Sequence, residues 1–188
     1  MTLLIIGLLL WTVVHLFRRA APAARAGLTR TLGEGPDRGV IALLLLASVV
    51  LMVLGYQQAD YIAVWTPPYW AVHLTNLLML IALFLFGMGK STGRVRALLR
   101  HPMLLAAVVW AAAHLLVNGD LASLILFGGI GAWALIEIVV INAQDGPWQR
   151  PAPGTVAGDV RWVIISLVAF GAVAAFHFYI GGVYPFPG

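Results

Sequence analysis

The feature that most constrains this chain is the alternation of membrane-length apolar runs with connections that are either strongly basic or free of basic residues. Apolar stretches fall at about 3–17, 40–56, 70–88, 102–117, 121–141 and 161–180. A bilayer core about 30 Å thick needs roughly 20 apolar residues in a helix, because each backbone N–H and C=O must be satisfied within the segment. Lys and Arg fall almost wholly between these runs. Five lie in 18–38 (Arg18, Arg19, Arg25, Arg30, Arg38) and four in 90–100 (Lys90, Arg94, Arg96, Arg100), with Arg150 and Arg161 after the fifth run. The connections after runs two, four and six hold none. By the positive-inside rule this predicts six transmembrane helices with the basic loops cytoplasmic and both termini periplasmic. The expected fold is all-α, a single polytopic membrane helix bundle over residues 1–188.

Composition agrees: 62% of the 188 residues are hydrophobic and 10% charged. The net charge of +4 sits in those loops, so it reports orientation and affinity for anionic lipid; no nucleic-acid recognition module is visible. The first run could pass for a signal peptide, with Ala20-Ala21 and Ala23-Ala24 resembling a cleavage site. Its arginines follow the apolar stretch, however, and no basic n-region precedes it, so it is read as a helix that stays. Tyr61, Trp65, Tyr69 and Trp70 suit an interfacial aromatic belt. No strong internal repeat stands out.

The most informative stretch is Arg100 to Asp120, RHPMLLAAVVWAAAHLLVNGD. Pro102 suits the first helical position and pushes His101 out of helical geometry. Asn118-Gly119 is a helix stop, and Asp120 is an N-cap for the next helix. A helix hairpin with almost no loop follows. Trp110, His114 and Asn118 share a face at i, i+4 spacing. His101 and His114 are 13 residues apart, about 20 Å along and about 220° around a helix, so they cannot share one metal ion.

With no cysteine, metal chemistry must rest on histidine, carboxylate or methionine. A depth map sorts the five histidines. His15 and His101 lie toward the cytoplasmic side, and His73, His114 and His177 toward the outer side. A lone interfacial histidine usually anchors or packs. Five of them in a cysteine-free bundle point to a cofactor, since intramembrane ionisable groups are costly and face the interior. Bis-histidine haem matches best, because imidazole ligates iron and a porphyrin needs an apolar slot. Zinc, copper or a scaffold in which the rings only pack remain open. Gly128, Gly129 and Gly131 permit close approach of a helix or a flat ring. Glu137 could pair with a basic loop, and Asp120 reads as a cap.

WTVVHLF with the downstream GEGP, PPYWAVHLTNLLMLIA, RHPMLLAAVVWAAAHLLVNGDLASLILFG and HFYIGGVYPF together resemble the NnrU family of bacterial membrane proteins. The resemblance spans nearly the whole chain. It implies a multi-pass protein of the bacterial inner membrane, linked to denitrification through support of nitrite and nitric oxide reductase function. The family is also similar to plant 15-cis-zeta-carotene isomerase, a haem b membrane enzyme, which implies haem ligands at His15 and His114. Ala111 stands where that enzyme has a cysteine, so a cysteine-dependent ligand switch is not implied. The ligand pair conflicts with the depth map, which sets His15 and His114 in opposite halves of the bilayer. His73, His114 and His177 are the other candidate set. The resemblance also opens a haem-dependent cis-trans isomerase of a polyene lipid, with the bilayer supplying a lipid-soluble substrate or a membrane redox partner. A weaker similarity, in the Arg-His-Pro helix start, is to isoprenylcysteine-type methyltransferases that use S-adenosylmethionine, but the later Arg and paired-Glu pattern is missing.

Overall fold

The computed structural model describes residues 1–186, with the side chains of residues 180 and 181 left aside. Seven α-helices form: α1 (Thr2–Ala20), α2 (Pro22–Leu32), α3 (Glu34–Gln57), α4 (Ala71–Met88), α5 (Pro102–Leu115), α6 (Leu121–Asp145) and α7 (Val156–Gly181). A short 3-10 turn spans Arg94–Ala97. Among the described residues there are no named strands, only two isolated bridges.

The helix ends follow local chemistry. Ala21 precedes Pro22 and leaves helical geometry at φ −137°, which separates α1 from α2. His101 sits at φ −122°, ψ 53° before Pro102, as expected of a residue preceding proline. Asp120 caps α6 by accepting from the Ser123 N–H at 2.9 Å, and Thr155 caps α7 by accepting from the Gly158 N–H at 3.0 Å. Gly146, at φ 66°, stops α6.

Five helices (α1, α3, α4, α6, α7) are long and apolar enough to cross a membrane. The sixth expected span falls on α5, which is apolar but shorter than these five. α5 has 14 residues, about 21 Å of rise, which is short of the hydrocarbon thickness. It stops at Leu115 because the Asn118 side chain takes the His114 carbonyl at 2.8 Å and the backbone tightens around the same carbonyl. Two further differences concern the loops. The segment 18–38 contains α2 rather than a loop throughout, and α6 runs on to Asp145 instead of ending near Ile141.

Neighbouring helices follow the order α3, α1, α6, α5, α4, α7. Small residues set the closest approaches. Gly7 of α1 lies on Ser48 and Met52 of α3, and Gly55 of α3 lies on the Leu3–Leu4 backbone. Leu4, Met52, Ala122, Ile130, Trp133 and Ala134 form the buried core where α1, α3 and α6 meet. Outward-facing Leu43, Val139, Ile164 and Val168 are exposed along the spans, a surface suited to lipid and far too apolar for water.

Both ends of the bundle are clasped. At the basic end, Arg19 pairs with Asp145 at 2.5 Å, Arg100 donates to the Gly146 carbonyl at 2.7 Å, and Thr155 N–H donates to the Thr92 carbonyl at 3.1 Å. The three basic connections therefore share one end, as the alternation of charge requires. At the other end the 62–65 segment crosses the α5–α6 turn. Leu121 N–H donates to the Ile62 carbonyl at 2.9 Å, and Val64 and Trp65 N–H donate to the Gly119 carbonyl at 2.8 and 3.0 Å. A Cβ at Gly119 would strike the Trp65 carbonyl, so this crossing requires glycine. Ser123 donates its one hydroxyl proton to Asp120, so Tyr56, 2.9 Å away, donates to Ser123.

Candidate functional site

α1 and α5 stand on either side of α6, and each carries the same short pattern, Trp-x-x-x-His: Trp11 to His15, and Trp110 to His114. His15 Nδ1 lies 2.9 Å from the Trp11 carbonyl, and His114 Nδ1 lies 2.9 Å from the Trp110 carbonyl. A carbonyl only accepts, so Nδ1 carries the proton in both rings, and in the neutral imidazole the lone pair is left on Nε2. A metal-ligating histidine is commonly held in this way, with one nitrogen fixed on a backbone carbonyl and the other free to coordinate.

Aromatic rings surround both imidazoles. His15 lies 4.1 Å from Trp11 and 4.6 Å from Trp133 of α6, between ring centroids. His114 lies 4.7 Å from Trp110 and 4.6 Å from Phe127 of α6, nearly parallel to the latter at 24°. Phe127 and Trp133 are six residues apart on α6, about 9 Å of rise. Along this shared helix His114 packs nearer the Asp120 end and His15 nearer the basic end, the same order as in the depth map. α1 and α6 run side by side, with Leu8 at Gly129 and His15 at Trp133.

The outer histidines divide. His177 of α7 comes within 6.5 Å of His114, with the rings 30° from parallel. Its Nδ1 donates to the Val183 carbonyl at 2.7 Å, which again leaves Nε2 free. His73 is exposed, and its aromatic neighbour is Tyr69 at 6.4 Å, so the structure does not gather it with His114 and His177. Asn118 caps the end of α5 through the His114 carbonyl and does not turn its amide toward the rings. His101 contacts Asn142 of α6 at 2.9 Å and acts, with Arg100, as a clasp between α5 and α6. His101 is therefore not grouped with His15.

Three buried polar atoms on α1 and α6 have no partner: Trp11 Nε1 and Trp133 Nε1, both beside His15, and one Glu137 carboxylate oxygen. Orphaned buried polar atoms are rare, and each calls for a ligand or a water. Arg19, the basic group within reach of Glu137, is spent on Asp145, so the expected pairing of Glu137 with a basic residue does not form. Among the described residues no three His or acidic groups converge on a point. Of the three glycines, a Cβ added at Gly129 would strike Leu8, one at Gly131 would lie 3.1 Å from Ala111, and one at Gly128 would meet nothing within 4 Å.

Trp11, Trp133 and Phe127 were not singled out by sequence reasoning. The signal was present in the repetition of WTVVH and WAAAH, two aromatic–imidazole pairs at i, i+4 on different helices.

A bundle of apolar helices, five of span length, with imidazoles set among aromatic rings between its helices, defines a multi-pass helical membrane protein. No curated protein and no solved structure matches the chain. The NnrU protein family matches residues 3–185, so this chain belongs to the NnrU family.

Proposed function

We propose that this protein is a haem b-binding membrane protein in which His114 and His15 supply the iron ligands, serving redox or maturation chemistry for the nitrite and nitric oxide reductases of denitrification. The observation that carries the reading is the pair of Trp-x-x-x-His units on α1 and α5, each with Nδ1–H on a backbone carbonyl and Nε2 free. A bound haem would contribute one-electron redox chemistry of iron. The chain's own part is to fix both rings in one tautomer, to line the site with Trp11, Trp110, Phe127 and Trp133, and to keep water out. The two unpartnered indole N–H groups beside His15 are donors of the kind that a propionate accepts.

The basic end faces the cytoplasm on this reading, both termini lie on the periplasmic side, and the protein resides in the bacterial inner membrane. A second ligand set, His114 with His177, is supported by their 6.5 Å separation. Haem titration of the purified chain and its alanine variants separates the two. With His15 as ligand, His15→Ala converts the low-spin spectrum to a five-coordinate one and His177→Ala leaves it unchanged. The opposite pattern assigns His177. Wild-type binding kept in full by His114→Ala rejects both.

A further inference from the structure

At the basic end, a cleft of about 510 Å³ opens between α4 and α7, away from the histidines. Its mouth carries Lys90 and Arg161, with the hydroxyls of Ser91 and Thr92 between them. Its inner wall is Leu83, Phe86, Ile165 and Ala169. Both cations are exposed. Arg161 donates to the Thr92 hydroxyl at 2.5 Å, and neither Lys90 nor Arg161 has an acidic partner among the described residues. The nearby Asp159 carboxylate is taken by Arg94 at 2.8 Å and by the Val95 N–H at 3.1 Å, so it does not neutralise the mouth.

One further atom lies deeper. Ser166, 2% exposed, has a hydroxyl with no partner. It lines the cleft opposite Gly87, where a Cβ would sit 2.9 Å from the oxygen. Ser166 is five residues beyond Arg161 on α7, about 7.5 Å farther toward the bilayer centre. Trp162 holds the two walls together by donating to the Phe84 carbonyl at 2.9 Å.

We infer that this cleft binds an anionic phospholipid of the leaflet at the basic end. The phosphate sits between Lys90 and Arg161, an ester carbonyl accepts from Ser166, and an acyl chain runs along the apolar wall. Basic pockets between membrane helices take anionic headgroups, since each cation near the surface favours an anionic lipid over a neutral one. A soluble phosphate would use the mouth but not the buried hydroxyl or the apolar wall. The inference is independent of the haem reading.

The test is native mass spectrometry of the full chain equilibrated with equal amounts of phosphatidylglycerol and phosphatidylcholine of matched chains. The expected result is selective retention of phosphatidylglycerol, cut about 30-fold in the double variant Lys90→Gln/Arg161→Gln. Arg30→Gln, a charge change outside the cleft, should leave retention as in wild type. Gly87→Leu fills the cleft with the charges intact and should also release the lipid, with circular dichroism reporting the helices. Millimolar inorganic phosphate alone should not displace phosphatidylglycerol. Equal retention of the two lipids, full retention by the double variant, or displacement by phosphate overturns the inference.

Discussion

Substituting Gly55 by alanine should loosen α1 from α3 and thereby disturb His15, eleven residues along α1 from Leu4. A Cβ built at Gly55 falls 2.7 Å from Leu4 Cα and 2.8 Å from the Leu3 carbonyl carbon, where ordinary contact begins near 3.4 Å. The obstacle is backbone, so no rotamer change can yield. The Leu4 backbone nitrogen is nearer still, so α1 must back away by more than the 0.7 Å that separates 3.4 from 2.7 Å. Overpacking of this kind costs about 1–3 kcal/mol. A shift of α1 also opens the Gly7–Ser48 contact and carries His15 away from Trp133. The assay is thermal unfolding in detergent, together with the visible spectrum of the haem-loaded protein. The expected outcome is a lower midpoint and partial loss of the six-coordinate spectrum. An unchanged midpoint and an unchanged spectrum in Gly55→Ala would refute the close α1–α3 seam as the support for His15.

Gly128→Ala is the matching control. Nothing lies within 4 Å of the added Cβ, so the helix gains roughly 0.5–1 kcal/mol and the spectrum stays as it was. Asp120→Ala removes the α6 cap and the acceptor of the Ser123 hydroxyl; it should cost about 1–2 kcal/mol in a denaturant titration. His101→Ala should lose only the clasp to Asn142, about 1 kcal/mol, with no change in absorption. Asp37 lies ahead of the apolar run of α3. Its hydrogen bonds from Arg25 at 2.6 Å, aided by Thr29, hold its carboxyl below the usual carboxylate range. A depressed folded pKa gives stability that is complete above about pH 4 and is lost as pH falls through the folded value. Thermal midpoints from pH 7 down to pH 3 should therefore show Asp37→Asn trailing wild type near neutrality, with the gap closing in acid; a constant gap contradicts the assignment.

Much of the architecture could be read from residues one at a time. Pro102 after His101, Asp120 before an apolar run and the clustering of arginines each act through local sterics, local hydrogen bonds or the membrane's charge asymmetry. Those causes leave direct marks in sequence. The short α5 was harder, because Leu116 and Val117 continue an apolar run, and the helix ends where the Asn118 side chain and the following backbone N–H groups converge on the His114 carbonyl. The 62–65 crossing left no periodic signal, since it rests on backbone groups alone. At the site, Trp110 and His114 were visible as neighbours on one face. The aromatics that α6 contributes, Phe127 and Trp133, depend on how α1 and α5 pack against α6, and that no single segment encodes. The buried, unpaired state of Ser166 likewise arises only where α7 meets Gly87.

The central claim is that the imidazoles of α1 and α5 exist to hold a haem. The most direct measurement is the absorption spectrum and pyridine haemochrome of the detergent-purified full-length chain, set against its iron content. The account predicts one haem b per chain, low-spin with two imidazole ligands, and its loss in His114→Ala. A wild-type chain that stays colourless after haem is supplied, with no iron bound, would contradict it.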